Sequence, residues 1–338
     1  MQTDTSSPTV LILGARGRFG LAAARAFADA GWRVLGQMRP GAQPPVDAPV
    51  RVEWLSLDLA DTQALTHAAQ GAVVVVHALN PAYTNQAWSE QVLPLTEAAL
   101  ALCRALDATL MVPGNIYNFG KGMPAQLRDD APQRAHTVKG RIRVAMEEVI
   151  QASGVRAIVI RAGDFFGSGK GSWFDQAMVG KLQKGVFTYP GARDVPTAWA
   201  YLPDLARTFV AVAQKRGELA PFDVFHFGGY RLTGQDWIDA LQPIAQRAAW
   251  VRPGAALTMG RMPWAVIRLG ALFMPQWASL VEMRYLWDTP HALANQKLET
   301  LIGQEPHTAL GPAAQTALAD LGMLPTTPGT QHAIVSAA

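Results

Sequence analysis

TVLILGARGRFG, residues 9–20, decides the fold. A short apolar run reaches Gly14, and a turn holding Gly14, Gly17 and Gly20 opens the alanine-rich stretch RFGLAAARAFADAG. Farther along, AVVVVHAL (72–79) has the continuous β-branched character of a strand buried on both faces. In the opening strand–turn–helix unit, Gly14 supplies the backbone angles of the turn. Gly17 lets a phosphate approach the main chain, and Gly20 allows the helix to pack closely on the strand. The free amides at the helix start would face the anion. A glycine triplet alone is weak, but this one follows a strand, opens a helix and stands near the amino terminus of an alternating chain. That context predicts a dinucleotide site whose turn is Gly14, Arg16, Gly17, Arg18, Phe19 and Gly20.

Outward from this unit the alternation continues. WRVLGQMR (32–39), VEWLSLDL (52–59) and AVVVVHAL (72–79) read as strands, and DTQALTHAAQG as a helix capped by Asp61. A long helix over 85–107 precedes the strand TLMVPGNIY (109–117). A helix beginning in AHTVKGRIRVAMEE (135–148) precedes the strand RAIVIRAGDFFG (156–167). The expectation is an α/β chain: a Rossmann-type, doubly wound parallel sheet with a smaller, mainly helical carboxyl-terminal substrate lobe. After about residue 170, Trp, Pro and Met become dense and the rhythm changes. The dinucleotide-binding domain is expected over 1–170, with 200–230 returning to it through the late strand DVFHFGG (223–229), and the lobe over 171–199 and 231–338.

Composition narrows the function. Of 338 residues, 49% are hydrophobic and 16% charged, which fits a packed core rather than disorder. A net charge of +3 gives no footprint for nucleic acid. The lone Cys103 excludes internal disulfides and fits a reducing compartment. MQTDTSSPT lacks the features of a secretion signal. PWAVIRLGALFMPQWASLVEM (263–283) is interrupted by Arg268, Pro275, Gln276 and Glu282, so it reads as a pair of buried or amphipathic helices, not a span. The chain is expected to be cytoplasmic, with no membrane partner; a homodimer is compatible with it. His77, His136 and His226 show no ligand spacing, so no metal is expected.

The second strand ends in Gln37-Met38-Arg39, where an arginine matches a 2′-phosphate and an acid would grip a ribose hydroxyl. Arg39 with Arg16 therefore favours NADP(H), the alternative being that Arg39 is a solvated strand end. The GxxGxxG spacing resembles the turn of the short-chain dehydrogenase superfamily, especially its extended and atypical, epimerase/dehydratase-like members. The resemblance covers about the first 230 residues. It places Asp58 and Leu59 beside the adenine, an N-cap-like role being the alternative for Asp58, with Ala78, Leu79 and Asn80 in the fourth-strand segment VVHALNP and Pro113 in the fifth, PGNIYNFG. RAGDFFG and WAYLPDLA look like the sixth-strand segment and the approach to the late helix.

Hydride-transferring members usually carry Ser, Tyr and Lys. With Glu147 as anchor, Pro113 stands at the serine position, Lys139 at the tyrosine position and Arg143 at the lysine position. The helix instead reads K-x-x-I-R-x-x-x-E over Lys139, Ile142, Arg143 and Glu147, similar to the pinoresinol, isoflavone and phenylcoumaran reductase branch. That resemblance implies NADPH and a lysine general acid/base, Lys139, which would also touch the cofactor. Residues 139, 143 and 147 share a helical face, and Arg143 together with burial should lower the Lys139 pKa. The plain alternative is a solvated Arg143–Glu147 pair with Lys139 a bystander. Lys139, Arg141 and Arg143 oppose the helix dipole, which weighs against that alternative.

Around this pair the expected substrate walls are Tyr83, Asn115, Asp164, Phe165, Phe166, Trp173 and Tyr201, with Tyr117 as second proton donor or as a packing aromatic. Phe174 and Trp199 join the candidate aromatic roof, and Glu282 and Arg284 either reach the pocket or pair at the surface. The leading expectation is an NADPH-dependent reductase of a small aromatic or cyclic substrate. Its rivals are a nucleotide-sugar epimerase or dehydratase and an NADP-binding redox sensor without turnover.

Overall fold

The computed structural model describes residues 7–325; the first six residues of the polar amino-terminal stretch read for a secretion signal lie outside the described residues. Strand and helix alternate through the first half: β1 (Thr9–Leu13), α1 (Arg18–Asp29), β2 (Arg33–Met38), β3 (Val52–Ser56), α2 (Thr62–Ala68), β4 (Ala72–His77), α3 (Asn85–Leu106) and β5 (Thr109–Gly114). The short β6 (Gln126–Leu127), α4 (Val138–Ala152) and β7 (Ala157–Arg161) follow. Local chemistry sets the boundaries. Asp61, Thr84 and Thr137 each cap a helix by accepting a backbone N–H at Ala64, Ala87 and Gly140.

The stretch 156–167, expected as one strand, divides at Ala162–Gly163 into β7 and β8 (Asp164–Phe166). A Cβ on Gly163 would lie 2.2 Å from the Ala198 carbonyl, so the break is a place where two backbones touch. Beyond it come β9 (Val186–Tyr189), β10 (Thr197–Tyr201), α5 (Leu202–Gln214), β11 (Phe222–His226), β12 (Tyr230–Leu232), α6 (Gly234–Arg247) and β13 (Thr258–Arg261). The chain then turns helical in α7 (Trp264–Gly270), α8 (Pro275–Met283) and α9 (Tyr285–Asp288). β14 (Ala292–Leu293), α10 (Gln296–Ile302) and α11 (Leu310–Asp320) complete it. The lobe is thus less helical than the sequence suggests, since small sheets β12-β10-β8, β13-β9 and β14-β6 build much of it.

The main sheet runs β11-β7-β5-β4-β1-β2-β3, every neighbouring pair parallel. Its central strands β1, β4, β5 and β7 are almost wholly buried because both faces are covered, while the edge strands β3 and β11 carry Glu53 and Asp223. α1 and α5 pack on one face through Phe19, Phe27, Leu205 and Phe209, and α2, α3 and α4 on the other through Leu65, Leu100, Met146 and Ile150. The strand order reverses between β1 and β4, the position where such sheets bind ligands. α5 and β11, from 202–226, return to the sheet. No helix among the described residues is long and apolar enough to cross a membrane.

Candidate active site

A cleft of about 2100 Å³ opens at the carboxyl edge where β1 and β4 part. Single small-molecule sites enclose roughly 300–1,000 Å³, so this one has room for two ligands side by side.

One end is built by the glycine turn. Gly14 is left-handed at φ 73°, and Gly17 caps α1 without any side-chain bond. No acidic residue occupies the first turn, so the helix-start amides are left for an anion. A Cβ on Gly20 would lie 2.4 Å from the Gly14 carbonyl, which explains why the helix can press on the turn. Gly20 itself faces that packing and not the cleft. Gly14, Arg16, Gly17, Arg18 and Phe19 line this end, with Arg39, Asp58 and Leu59 beyond. Gln37 ties the turn to the neighbouring loop: its Oε1 accepts the Gly14 N–H at 3.1 Å and its Nε2 donates to the Leu57 carbonyl at 2.8 Å. Arg18 donates to the Gly167 carbonyl at 2.7 Å, while its Nε is buried without a partner and burial pulls its pKa down to about 10. A cradle open to backbone approach, with one buried guanidinium nitrogen of Arg18 short of an acceptor, fits the diphosphate of a dinucleotide.

The other end lies over β4, β5 and β8. Ala78, Leu79, Asn80, Pro113, Asn115, Tyr117, Arg143, Asp164, Phe165 and Trp173 all line it, as does Tyr83. Tyr117 is in a 3-10 turn past β5, not at the strand end, and its N–H is fixed by the Asn115 side chain at 3.0 Å. The Tyr83 and Tyr117 hydroxyls stand 3.4 Å apart. Burial, with Asp164 nearby, pushes the Tyr117 phenol up to about 12, against the pull of Arg143. Asp164 Oδ2 accepts the Trp287 indole N–H at 3.1 Å, and burial raises that carboxyl to about 7. Arg143 stacks over Trp88 with its guanidinium carbon 5.0 Å from the ring centre. Its Nη1 meets only the Met146 sulfur, at 3.2 Å, and its buried Nε has no partner.

Lys139 is not part of this wall. It is fully buried, donating to Asn85 Oδ1 and to Ser279 Oγ at 2.9 Å, with its ammonium 4.6 Å from the Tyr83 ring centre and 5.5 Å from that of Trp88. Tyr83 and Trp88 line the cleft; Lys139 lies against their rings without reaching it. Its pKa falls to about 8 through burial, with Glu282 opposing, and not through Arg143 as expected. The cations at the start of α4 are compensated from a distant element. Glu282 of α8 accepts the Val138 N–H at 2.6 Å and the Asn85 Nδ2 at 2.7 Å, while Arg141 donates to the His136 carbonyl at 2.8 Å. Glu282 therefore neither reaches the pocket nor pairs at the surface. Nor does Glu147 pair with Arg143: it forms a buried ion pair with Arg161 and accepts Asn118 Nδ2 at 3.0 Å, anchoring α4 to β7.

Two further expected wall residues belong to the core. Phe166 and Tyr201 pack together, ring centres 5.2 Å apart, in a cluster with Phe174, Tyr230 and Trp237. Trp199 is buried there as well. The roof of the cleft comes instead from Trp173 and from a stretch no motif marks: Met262, Pro263, Ile267, Trp277 and Leu280. His77 and His226 are buried and held neutral, their pKa values lowered to about 3 and 4 by burial, and among the described residues no cluster is arranged to hold a metal ion.

Three solved structures share the architecture. The UDP-glucuronic acid 4-epimerase from Bacillus cereus in complex with NAD superposes with a TM-score of 0.72 at 15% identity, covering 94% of this chain and all of that one. The NAD-dependent NDP-hexosamine 5,6-dehydratase TunA gives 0.70 at 14%, over 93% and 97%. A UDP-galactose 4-epimerase gives 0.69 at 16%, over 93% and 98%. At such identities the likeness is one of fold. No curated protein matches the sequence. Residues 8–254, from the first strand to the loop after α6, match the family described as the RmlD substrate binding domain. That span takes in the glycine turn, the tyrosine pair and the whole parallel sheet, and the chain belongs to this family.

Proposed function

We propose that the protein is a nicotinamide-dinucleotide oxidoreductase that uses NADP(H) to reduce a small aromatic or cyclic substrate. The observation that carries this reading is the make-up of one continuous cleft. A phosphate cradle at one end and Tyr117, Arg143 and Asp164 at the other lie under an apolar roof. When bound, the cofactor supplies a hydride. Arg16 and Arg39, both on the cleft wall, would meet a 2′-phosphate. Arg143, short of acceptors, would hold an anionic or hydroxyl-rich group near the reacting end. Tyr117 Oη carries its proton at neutral pH. It would pass that proton to a substrate oxygen as charge builds there, with Tyr83 Oη hydrogen-bonding to it and Asp164 as a proton source. In this reading Lys139 orders the Tyr83 and Trp88 rings and does not touch the substrate.

A second reading, a nucleotide-sugar epimerase or dehydratase, is favoured by Lys181 and Arg261 on the lobe side of the cleft, two cations that suit a diphosphate. The epimerases and the dehydratase of like fold point the same way. Cofactor oxidation separates the two. The proposal expects NADPH to be consumed with enones, lactones or aryl ketones, and Tyr117→Phe to slow that turnover by about 10²-fold with cofactor affinity kept. Turnover of UDP-sugars without net cofactor oxidation would establish the second reading instead.

A further inference from the structure

The α7–α8 hairpin presents two apolar faces. Ile267, Trp277 and Leu280 line the cleft. At the tip, Leu269, Leu272 and Phe273 are 66%, 74% and 82% exposed, and Met274 is exposed as well. Scattered exposed apolar side chains are ordinary, but four within six consecutive positions of one turn form a patch that water disfavours. The stretch of chain that carries this patch holds charge of one sign. Residues 240–281 contain Arg247, Arg252, Arg261 and Arg268 and no Asp or Glu. Arg247, Arg252 and Arg268 are exposed, and Arg268 adjoins Leu269.

A second copy of the chain is a poor occupant for this surface. A two-fold contact would bring the same arginine-bearing turns together, with no carboxylate from either turn to answer them. An anionic bilayer answers both properties: its acyl boundary takes up Leu272 and Phe273, and its phosphates meet the Arg268 guanidinium beside them. We propose that the α7–α8 tip lies in the interface of an anionic lipid bilayer, so that the cleft roof rests on the membrane surface. This departs from the sequence expectation of no membrane partner. It requires no span, because a short amphipathic hairpin lies in the interface plane.

The test uses the full chain and vesicles of phosphatidylcholine, either alone or with about one third phosphatidylserine. Sedimentation should recover the protein with the serine-containing vesicles. Binding should weaken at least about tenfold as salt rises from low to several times physiological strength. Leu272→Asp with Phe273→Asp should weaken it at least about tenfold, and Arg268→Glu should flatten the salt dependence. None of these three residues lines the cleft, so cofactor binding followed by tryptophan fluorescence should stay unchanged and report an intact fold. The proposal is overturned if the wild type ignores both kinds of vesicle, or if the double variant binds as the wild type does. It is likewise overturned if light scattering finds a dimer that the double variant dissolves while vesicle binding is absent.

Discussion

Replacing Lys139 with methionine asks what a buried ammonium does beside, but not on, a cleft. Lys139 is fully buried, and burial lowers its pKa from 10.5 to about 8. At about 1.4 kcal/mol per pKa unit, keeping it charged at pH 7 costs on the order of 3 kcal/mol. Methionine keeps most of the volume. It gives up ring contacts worth about 1 kcal/mol and leaves Asn85 and Ser279 still bonded to each other at 3.3 Å. The expected net effect at pH 7 is a gain of about 1–2 kcal/mol, in line with exchanges of buried charge for apolar groups. The dependence on pH is more diagnostic. Between the folded value near 8 and the unfolded 10.5, the unfolded chain binds the extra proton. Wild-type stability should therefore rise by about 3 kcal/mol through that window relative to the variant, closing the gap and leaving the wild type the more stable near pH 10.5. Urea unfolding of both proteins from pH 7 to 10.5 measures this. A variant less stable at pH 7, or a gap that does not change with pH, would refute the account of the burial. Turnover should survive the change; its loss, with fold and cofactor affinity intact, would return Lys139 to the role of general acid.

Three other substitutions probe the rest of the cleft. Gly20→Ala places a methyl 2.4 Å from the Gly14 carbonyl and should lower stability by about 1–3 kcal/mol and weaken the cofactor, readable by thermal shift with and without NADPH. Arg39→Ser should weaken NADPH by about tenfold while sparing NADH; equal losses for the two cofactors in titration would remove the 2′-phosphate argument. Asp164→Asn should abolish any limb of the rate profile near pH 7. Because the folded carboxyl holds its proton from about 3.8 up to about 7, wild-type stability should fall across that range relative to this variant, and parallel melting curves would show if it does not.

The sheet was legible because its signals are local. Apolar runs ending in glycine, the cap at Asp61 and the alternation need only neighbouring residues, and β1–β5 and α1–α4 follow them closely. That Gly14, Arg16, Gly17 and Arg39 come to line one cleft was legible for the same reason, since the turn and the tip of β2 are brought together by one strand crossing. The face of α4 was harder. Residues four apart advance about 40° around a helix, so Lys139, Arg143 and Glu147 fan out over nearly a quarter turn. One meets α8, the next the cleft and the third Arg161. The acid that compensates the start of α4 is 144 residues away in sequence and leaves no local trace. The roof was missed because apolar helices look alike whether they cover a ligand or a core, and the break at Gly163 is set by contact with Ala198 rather than by any turn signature.

The knot of Asn85, Lys139, Ser279 and Glu282 fastens α8 to α3 and α4 at the end of the hairpin remote from its exposed tip. Parting α8 from α3 and α4 there would break the hydrogen bonds of a buried ammonium and of a carboxylate together, a cost that an apolar seam does not carry. The roof is therefore moored by polar groups at one end, while Leu272 and Phe273 stand in the open at the other.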